Sequence, residues 1–293
     1  MTDLNVSLAG QSRRRRRGDQ LFWALCTLAF VIIAAPTIAV LISVFHSAAP
    51  SLGVHTFTQV QNGGGGGLQN AIYGTLLLLL GVLVIAGTVG VGAGIYLAEF
   101  SSSSLGAVLR FLSEILAGMP SIVIGYIGYV TLAVGLGWHY SLLAGILALS
   151  VLVLPYIVKT TEVALLSVPS ALREASAGLG LTRGRTVRQI LLPTAVPGIV
   201  SGLIIALAIS TGETAPLLFT AGSSQTNPTG QLTHSPIGYL TEVTFNDTSL
   251  PGAGYHAQAA AAAAVTLMIL VVLIIVGRFI SARARRKTAR MAL

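Results

Sequence analysis

The residue with the clearest chemical potential is a glutamate inside an apolar segment. Glu213 lies in the stretch SGLIIALAISTGETAPLLFTAG, which is otherwise long and hydrophobic enough to cross a bilayer. An ionisable side chain at such a depth costs at least about 2.5–3.5 kcal/mol unless it faces a cavity or a partner. We therefore expect Glu213 to line a translocation pathway. A protonated Glu213 that is bonded only to a neighbouring helix is the alternative.

Two hydroxyl side chains accompany Glu213 at helical spacing. Ser210 and Thr214 stand three residues before it and one residue after it, so all three would share one face of a helix. Gly212 and Pro216 should loosen that helix and leave backbone groups that need partners in protein or water. We predict that this polar stripe belongs to the substrate pathway.

A second chemically unusual stretch, REASAGLGLTRGRTVRQILLP at residues 173–193, interrupts the apolar chain with one glutamate, four arginines and three glycines. Ser170 is a plausible N-cap for a short helix that Gly178 and Gly180 should end. A second short segment, 183–191, precedes the return to the membrane. We expect a charged elbow, the segment of about residues 169–193, to project into the cytoplasm.

These stretches belong to an all-α polytopic membrane protein. Of the 293 residues 54% are hydrophobic and only 9% are charged, where a soluble domain carries roughly a quarter charged residues. Six windows are long enough for a helical crossing: 21–45, 71–97, about 112–136, 142–164, 196–219 and 257–280. The predicted organisation is a tail (1–20), a first span (21–45), an external glycine-rich loop (46–70), a core of five spans with an external loop of about 220–256 (71–280) and a second tail (281–293).

The basic residues orient these spans. Six crossings place both termini on one side, and all seventeen lysines and arginines then fall on that side, which is therefore cytoplasmic. The basic clusters at 13–17 and 283–290 are interpreted as topological anchors that bind anionic membrane lipid. Nucleic-acid binding is the remote alternative, and we expect none. The protein is expected in the cell membrane.

Several other features favour packing or solvation over chemistry. The five glycines at 63–67 are followed by no Lys-Ser/Thr pair, so they predict a flexible tether and no phosphate cradle. Gly90 and Gly94 predict close helix packing, and the single cysteine, Cys26, predicts core packing. The external acidic residues are expected to be solvated in an exposed loop; they are Glu242 and Asp247.

No catalytic group, metal site or bound cofactor is predicted for this chain. The five histidines lack metal-ligand spacing and are all assigned to the external side. No segment outside the membrane is long enough to hold a soluble catalytic unit. We therefore expect no catalytic activity in this chain itself.

The elbow resembles the EAA loop of ABC importer permeases. That pattern is Glu-Ala-Ala, three residues, Gly, nine residues, Ile-x-Leu-Pro, and this chain departs from it only at Ser176. In that family the loop docks on a separate ATPase subunit, so the resemblance implies a type I ABC importer permease fold. It implies an ATPase-coupling role for Glu174, Ala175, Gly180, Arg183, Arg185, Ile190, Leu192 and Pro193.

Three further stretches are similar to A-type permeases of phosphate-specific ABC importers: GETAPLLFTAG, MPSIVIG and GIYLAE. The resemblance implies a pathway that includes Ser121, a C-type permease partner, two ATPase subunits that bind ATP and Mg²⁺, and an extracytoplasmic phosphate-binding protein. One position departs from the family, because Ile209 stands where an arginine is usual. We expect the partner permease, helix N-termini or hydroxyl groups to supply the missing positive charge.

Other functions stay open at this point. A permease for molybdate, tungstate or sulfate fits the same residues, and the Ile209 departure leaves room for it. A secondary transporter that uses Glu213 as a proton relay is less well supported, because the chain lacks paired interrupted spans. A membrane sensor that transports nothing would not need the polar stripe.

Overall fold

The structure is a computed structural model that describes the backbone of residues 2–101 and 104–291 and the side chains of residues 18–101 and 104–284. In chain order the described helices are α1 (Thr2–Ala48), α2 (Val54–Thr58), α3 (Gln69–Glu99), α4 (Ser104–Gly118), α5 (Ser121–Gly128), α6 (Leu142–Leu166), α7 (Ser170–Gly178), α8 (Arg183–Thr186), α9 (Leu192–Gly212), α10 (Ala215–Thr220), α11 (Leu240–Ser249) and α12 (Ala253–Met291). Two π-helical segments extend α5 and α8: Tyr129–Gly135 and Val187–Leu191. A two-stranded hairpin joins β1 (Gln61–Asn62) to β2 (Gly65–Gly66).

Five helical stretches are long and apolar enough to cross a membrane, and they match five of the six predicted spans. They are Gly18–Ala48, Gln69–Glu99, Leu142–Leu166, Arg183–Gly212 and Ala253–Ala284. The basic residues 13–17, 285–287 and 290 lie outside the described side chains.

The third predicted span, 112–136, is not a straight helix. The segments Ser104–Gly118 and Ser121–Gly135 meet at an angle of 103°. Pro120 lies at this break with ψ 134°, outside the helical region, and a proline disfavours helical backbone in the residue before it. Six spans result if this bent pair is counted as one.

The centre of the molecule is the crossing of α3 and α6, where two glycines allow close contact. A Cβ atom at Gly90 would lie 2.7 Å from Ile157 Cγ2, and one at Gly94 would lie 2.5 Å from Thr161 Cβ. The packing expected from their spacing is confirmed. The surrounding core includes Leu78, Val82, Leu149, Val153 and Ile157.

Helix α1 stands at the edge of this bundle. It packs against α12, and its apolar side chains between residues 18 and 48 are otherwise mostly exposed, which suits a helix that faces lipid. Cys26 is exposed on α1. The expectation that this cysteine packs in the core is therefore wrong.

The glycine run is an ordered element. Residues 61–66 form the hairpin of β1 and β2, and the Gln258 side chain of α12 donates to the carbonyl oxygens of Gly65 at 3.0 Å and Gly67 at 3.3 Å. The prediction of a flexible tether is wrong. It used only the local sequence, whereas Gln258, whose side chain holds the glycines in place, lies almost two hundred residues further along the chain.

Candidate functional site

The fifth span breaks at the glutamate that the sequence singled out. Helix α9 ends at Gly212, Glu213 has extended backbone angles (φ −75°, ψ 134°), and α10 begins at Ala215. The loosening expected from Gly212 and Pro216 is confirmed, but the single helical stripe is not formed, because the helix stops between Ser210 and Thr214. The Glu213 carbonyl oxygen, which the break frees, accepts a hydrogen bond of 2.8 Å from the Thr241 hydroxyl.

This break meets the break of the bent third span. A Cβ atom at Gly125 of α5 would lie 2.6 Å from Pro216 Cα, so α5 and α10 are in close contact. That contact brings Ser121, the first residue of α5, beside Glu213, so that its side chain can interact with the Glu213 carboxyl group. Two interrupted helices therefore converge on one half-buried carboxyl group, an arrangement that transporters use for ion and substrate sites.

A groove of about 630 Å³ opens beside this junction. Its wall is rich in hydroxyl groups from the break, from α11 and from α12: Thr214, Thr241, Thr244, Thr248, Ser249 and Thr266. Ser210 lies outside this lining: it is buried and its hydroxyl donates to the Ala206 carbonyl oxygen at 2.9 Å. Of the four predicted pathway residues, Thr214 lines this groove, whereas Ser121, Ser210 and Glu213 are not among its lining residues.

A second groove of about 490 Å³ lies between α6 and α9, toward the end of the bundle that carries the elbow. Lys159 lines it, together with the hydroxyl groups of Thr160, Ser167, Thr194 and Ser201. Each of these four hydroxyls donates to a backbone carbonyl four residues earlier.

Helix α11, in the loop that was predicted to be external, buries two acidic side chains. Glu242 is 4% exposed and accepts hydrogen bonds from Ser223 at 2.9 Å and Asn246 at 2.6 Å. Asp247 is equally shielded, at 3%. Burial raises the pKa of Glu242, and burial with the Glu242 charge raises the pKa of Asp247 to about 6. The expectation that both residues are solvated is wrong.

The elbow has the predicted two-armed shape. Helix α7 runs from Ser170 to Gly178, and Gly180 then takes a left-handed backbone (φ +70°) that favours glycine. The sequence predicted Ser170 as the N-cap, but Pro169 occupies that position and the helix begins at Ser170, one residue earlier than expected. Glu174, Ala175, Gly180, Arg183 and Arg185 are exposed, and Leu179 at the tip is 78% exposed.

The base of the elbow is buried. Ile190 and Leu192 pack against an apolar cluster, and Pro193 is half-buried in the first turn of α9. The cluster comprises Leu165, Val168, Val187, Leu191, Ala195 and Ile199. The predicted coupling residues therefore divide into an exposed tip and an internal anchor.

Arg173 connects the elbow to the ends of two long helices. Its Nη2 donates to Glu99 Oε1 at 2.6 Å and to the Leu165 carbonyl oxygen at 2.9 Å, and its Nη1 donates to the Val168 carbonyl oxygen at 2.8 Å. Glu99 is the last residue of α3, and Leu165 lies in the last turn of α6. The Glu99 side chain is only 8% exposed, so solvent screens this ion pair weakly.

Two more arginines reach the same end of α3. Arg110 of α4 donates to Glu162 Oε1 at 2.8 Å and to the Leu97 carbonyl oxygen at 3.0 Å. The Arg183 guanidinium lies 5.8 Å from the centre of the Phe100 ring, within range of a cation–π contact. Residues 97–100 are thus held by arginines from three separate segments.

Residues 90–288 match the family model described as the binding-protein-dependent transport system inner membrane component. The chain belongs to this family. A relative from Mycobacterium bovis, "Phosphate transport system permease protein PstA 2", is 50% identical over 228 residues, which is 78% of this chain and 76% of the relative. The phosphate transport system permease protein PstA of Yersinia pestis is 40% identical over 73% of this chain and 72% of that protein.

Solved structures of ABC transporters share the fold of this permease. A chain of the inward-facing MetNI methionine ABC transporter matches with a TM-score of 0.61 and 21% identity, over 74% of this chain and 97% of that chain. A chain of a bacterial alginate ABC transporter matches with a TM-score of 0.62 and 18% identity, over 92% and 96%. The predicted type I importer permease fold is confirmed, with a mostly helical chain that also contains the short hairpin of β1 and β2.

The permease also contains functional candidates that the sequence did not single out. Arg110 pairs with Glu162, which is 52 residues away along the chain, and Arg173 pairs with Glu99, which is 74 residues away. No local spacing connects such residues. The only available signal was the position of Glu99 and Glu162 at the ends of apolar spans, where a buried charge needs a partner.

Proposed function

We propose that this chain is one permease subunit of an ATP-driven importer for inorganic phosphate. The assignment of phosphate as the substrate rests on the 50% identity, over 78% of the chain, to a phosphate transport system permease protein. The convergence of α5 and α10 on Glu213 supports a substrate pathway through that point.

Energy enters through the elbow, which docks on one of two separate ATPase subunits. Those subunits bind ATP and Mg²⁺, while this chain binds neither. The exposed tip, with Glu174, Ala175, Arg183, Arg185 and the apolar Leu179, offers both charge and hydrophobic surface to a partner. The buried base, with Ile190, Leu192 and Pro193, keeps that tip attached to α9.

Glu213 selects oxyanions that still carry a proton. Phosphate near neutral pH retains a hydroxyl group that can donate to the Glu213 carboxylate, whereas sulfate has no such proton and is repelled. Ser121 and Thr214 add hydroxyl groups at the same junction. Ile209 stands where the resemblance to A-type permeases implies an arginine, so the C-type permease partner supplies the cation that balances the phosphate charge.

The other partners follow from the orientation of the bundle. Both termini face the cytoplasm, where the basic clusters bind anionic lipid. The described cations Arg110, Arg173 and Arg183 gather at that end of the bundle. An extracytoplasmic phosphate-binding protein docks at the opposite end, on the loop of about residues 220–256 that contains α11.

Transport by the reconstituted complex tests this function. The permease pair, the ATPase subunits and the binding protein are placed in liposomes, and uptake of radiolabelled phosphate is measured with ATP or with a non-hydrolysable analogue inside. We expect uptake only with ATP, and competition by unlabelled phosphate but not by sulfate, molybdate or tungstate. Uptake driven by a proton gradient without ATP would identify a secondary transporter, and competition by another oxyanion would reassign the substrate.

A further inference from the structure

The coupling helix α7 has very little packing of its own. Among its residues Ser176 alone is buried, so α7 lacks the apolar stripe that normally fixes a helix to its neighbours. It is flanked by Pro169 and by Gly180, whose left-handed backbone forms a joint. A force applied to α7 by a docked subunit would therefore tilt the helix about its two ends unless a side chain fastened it to the bundle.

Arg173 is the side chain that makes this connection. Its guanidinium group reaches Glu99 at the end of α3, Leu165 at the end of α6 and Val168 in the link before α7. A planar guanidinium that is held by three acceptors in different directions has a fixed position. Movement of α7 must then displace the end of α3.

Helix α3 links this cytoplasmic joint to the substrate junction. Near its external end the Thr75 hydroxyl accepts a hydrogen bond of 3.0 Å from the Leu240 backbone N–H, at the start of α11. The next residue, Thr241, donates to the Glu213 carbonyl oxygen. The 25 residues from Thr75 to Glu99 form a continuous helix, which spans about 36 Å.

We propose that Arg173 and Glu99 form the joint through which movement of the elbow is passed to α3 and on to the Glu213 break. This inference rests on the proposed function, because it assumes that an ATPase subunit moves the elbow. Arg173 is thereby a positioning residue: it contacts no substrate, and it determines whether ATP hydrolysis is converted into opening of the pathway.

The decisive quantity is the number of ATP molecules hydrolysed per phosphate transported, measured in the same liposomes. For Arg173→Gln and for Glu99→Gln we expect the complex to assemble and to hydrolyse ATP, with a ratio about fivefold or more above that of the unmodified complex. The ratio of ATP hydrolysed to phosphate transported should be no higher in the double variant than in Arg173→Gln, since both changes break the same joint. Arg188→Gln is the matched control, because Arg188 is an exposed arginine of the same loop, and its ratio should be unchanged.

Each outcome decides the proposal. A ratio within twofold of the unmodified complex in both single variants overturns it, as does additive loss in the double variant. If neither single variant assembles, as judged by gel filtration, the ion pair is a folding contact and the proposal is also overturned. The unmodified complex distinguishes failure of this proposal from failure of the proposed function. If the unmodified complex shows no ATP-driven phosphate uptake, the proposed function is contradicted. If it transports phosphate and the variants keep its ratio of ATP to phosphate, only the role of the Arg173–Glu99 joint is contradicted.

Discussion

Glu213→Gln isolates the charge that we place in the substrate pathway. Glutamine has nearly the same shape as glutamate, so the contact with the Ser121 hydroxyl and the extended backbone at the break are preserved. The amide oxygen can still accept a hydrogen bond from phosphate. What the substitution removes is the negative charge, and with it the repulsion of an anion that has no proton to donate.

The size of the effect follows from the class of hydrogen bond. A bond to a charged group contributes about 1.5–3 kcal/mol and a bond between neutral groups about 0.5–1.5 kcal/mol. The difference of about 1–1.5 kcal/mol corresponds to roughly a tenfold slower uptake of phosphate. Glu213→Ala removes both the charge and the acceptor, and should therefore be slower still.

The assay compares radiolabelled phosphate and sulfate uptake by the reconstituted complex at saturating binding protein. We expect the phosphate rate of Glu213→Gln to fall and its sulfate rate to rise, so that discrimination between the two anions declines more than phosphate transport does. Gel filtration controls for assembly. If the glutamine variant transports phosphate at the original rate and still rejects sulfate, Glu213 has neither role and the reasoning is refuted.

Two further predictions concern stability, measured as the melting temperature of the purified permease in detergent. The pKa of Asp247 is raised from 3.8 to about 6 by burial and by the Glu242 charge, so the folded state favours the protonated form. That stabilisation is complete below pH 3.8 and is lost as the pH rises through 6. The melting temperature should therefore fall by a few degrees between pH 5 and 7. The fall should be smaller in Asp247→Asn. Gly94→Ala should lower the melting temperature, because the new Cβ would lie 2.5 Å from Thr161 Cβ and overpacking costs about 1–3 kcal/mol. Gly92→Ala, where a Cβ would meet open space, should leave melting unchanged or raise it; equal losses at both glycines would contradict the packing account.

The membrane spans could be predicted because their signal is local. Bilayer thickness requires a run of apolar residues, and four of the six windows are continuous helices, while the window 196–219 is helical up to Gly212. The third window shows the limit of that signal. Hydropathy counts apolar residues but contains no direction, so the bend of 103° was missed although Pro120 marks its position.

The parts of the candidate site that lie within a short motif could be predicted, and the parts that depend on contacts between distant segments could not. Glu213 and the elbow were found from single stretches of sequence. The burial of Glu242 depends on Ser223, nineteen residues away, and on the packing of α11 against α12. Likewise, nothing local in the glycine run indicates that Gln258 will secure it. Such contacts are set by tertiary packing, which a reading of local patterns does not contain.

A cross-linking measurement tests most directly the claim that ATP hydrolysis acts on this permease through the elbow. Cys26 is the only cysteine of the chain, so Cys26→Ser provides a cysteine-free background. Leu179→Cys is placed at the exposed tip of the elbow. Leu232→Cys, at a leucine that is 55% exposed in the loop predicted to be external, serves as the control. With a short bifunctional thiol reagent and an ATPase subunit that carries a cysteine in its docking groove, we expect a cross-linked product from position 179 whose yield changes when ATP is added, and none from position 232. A product from position 232 alone, or none from 179 in a complex that transports phosphate, would contradict the account.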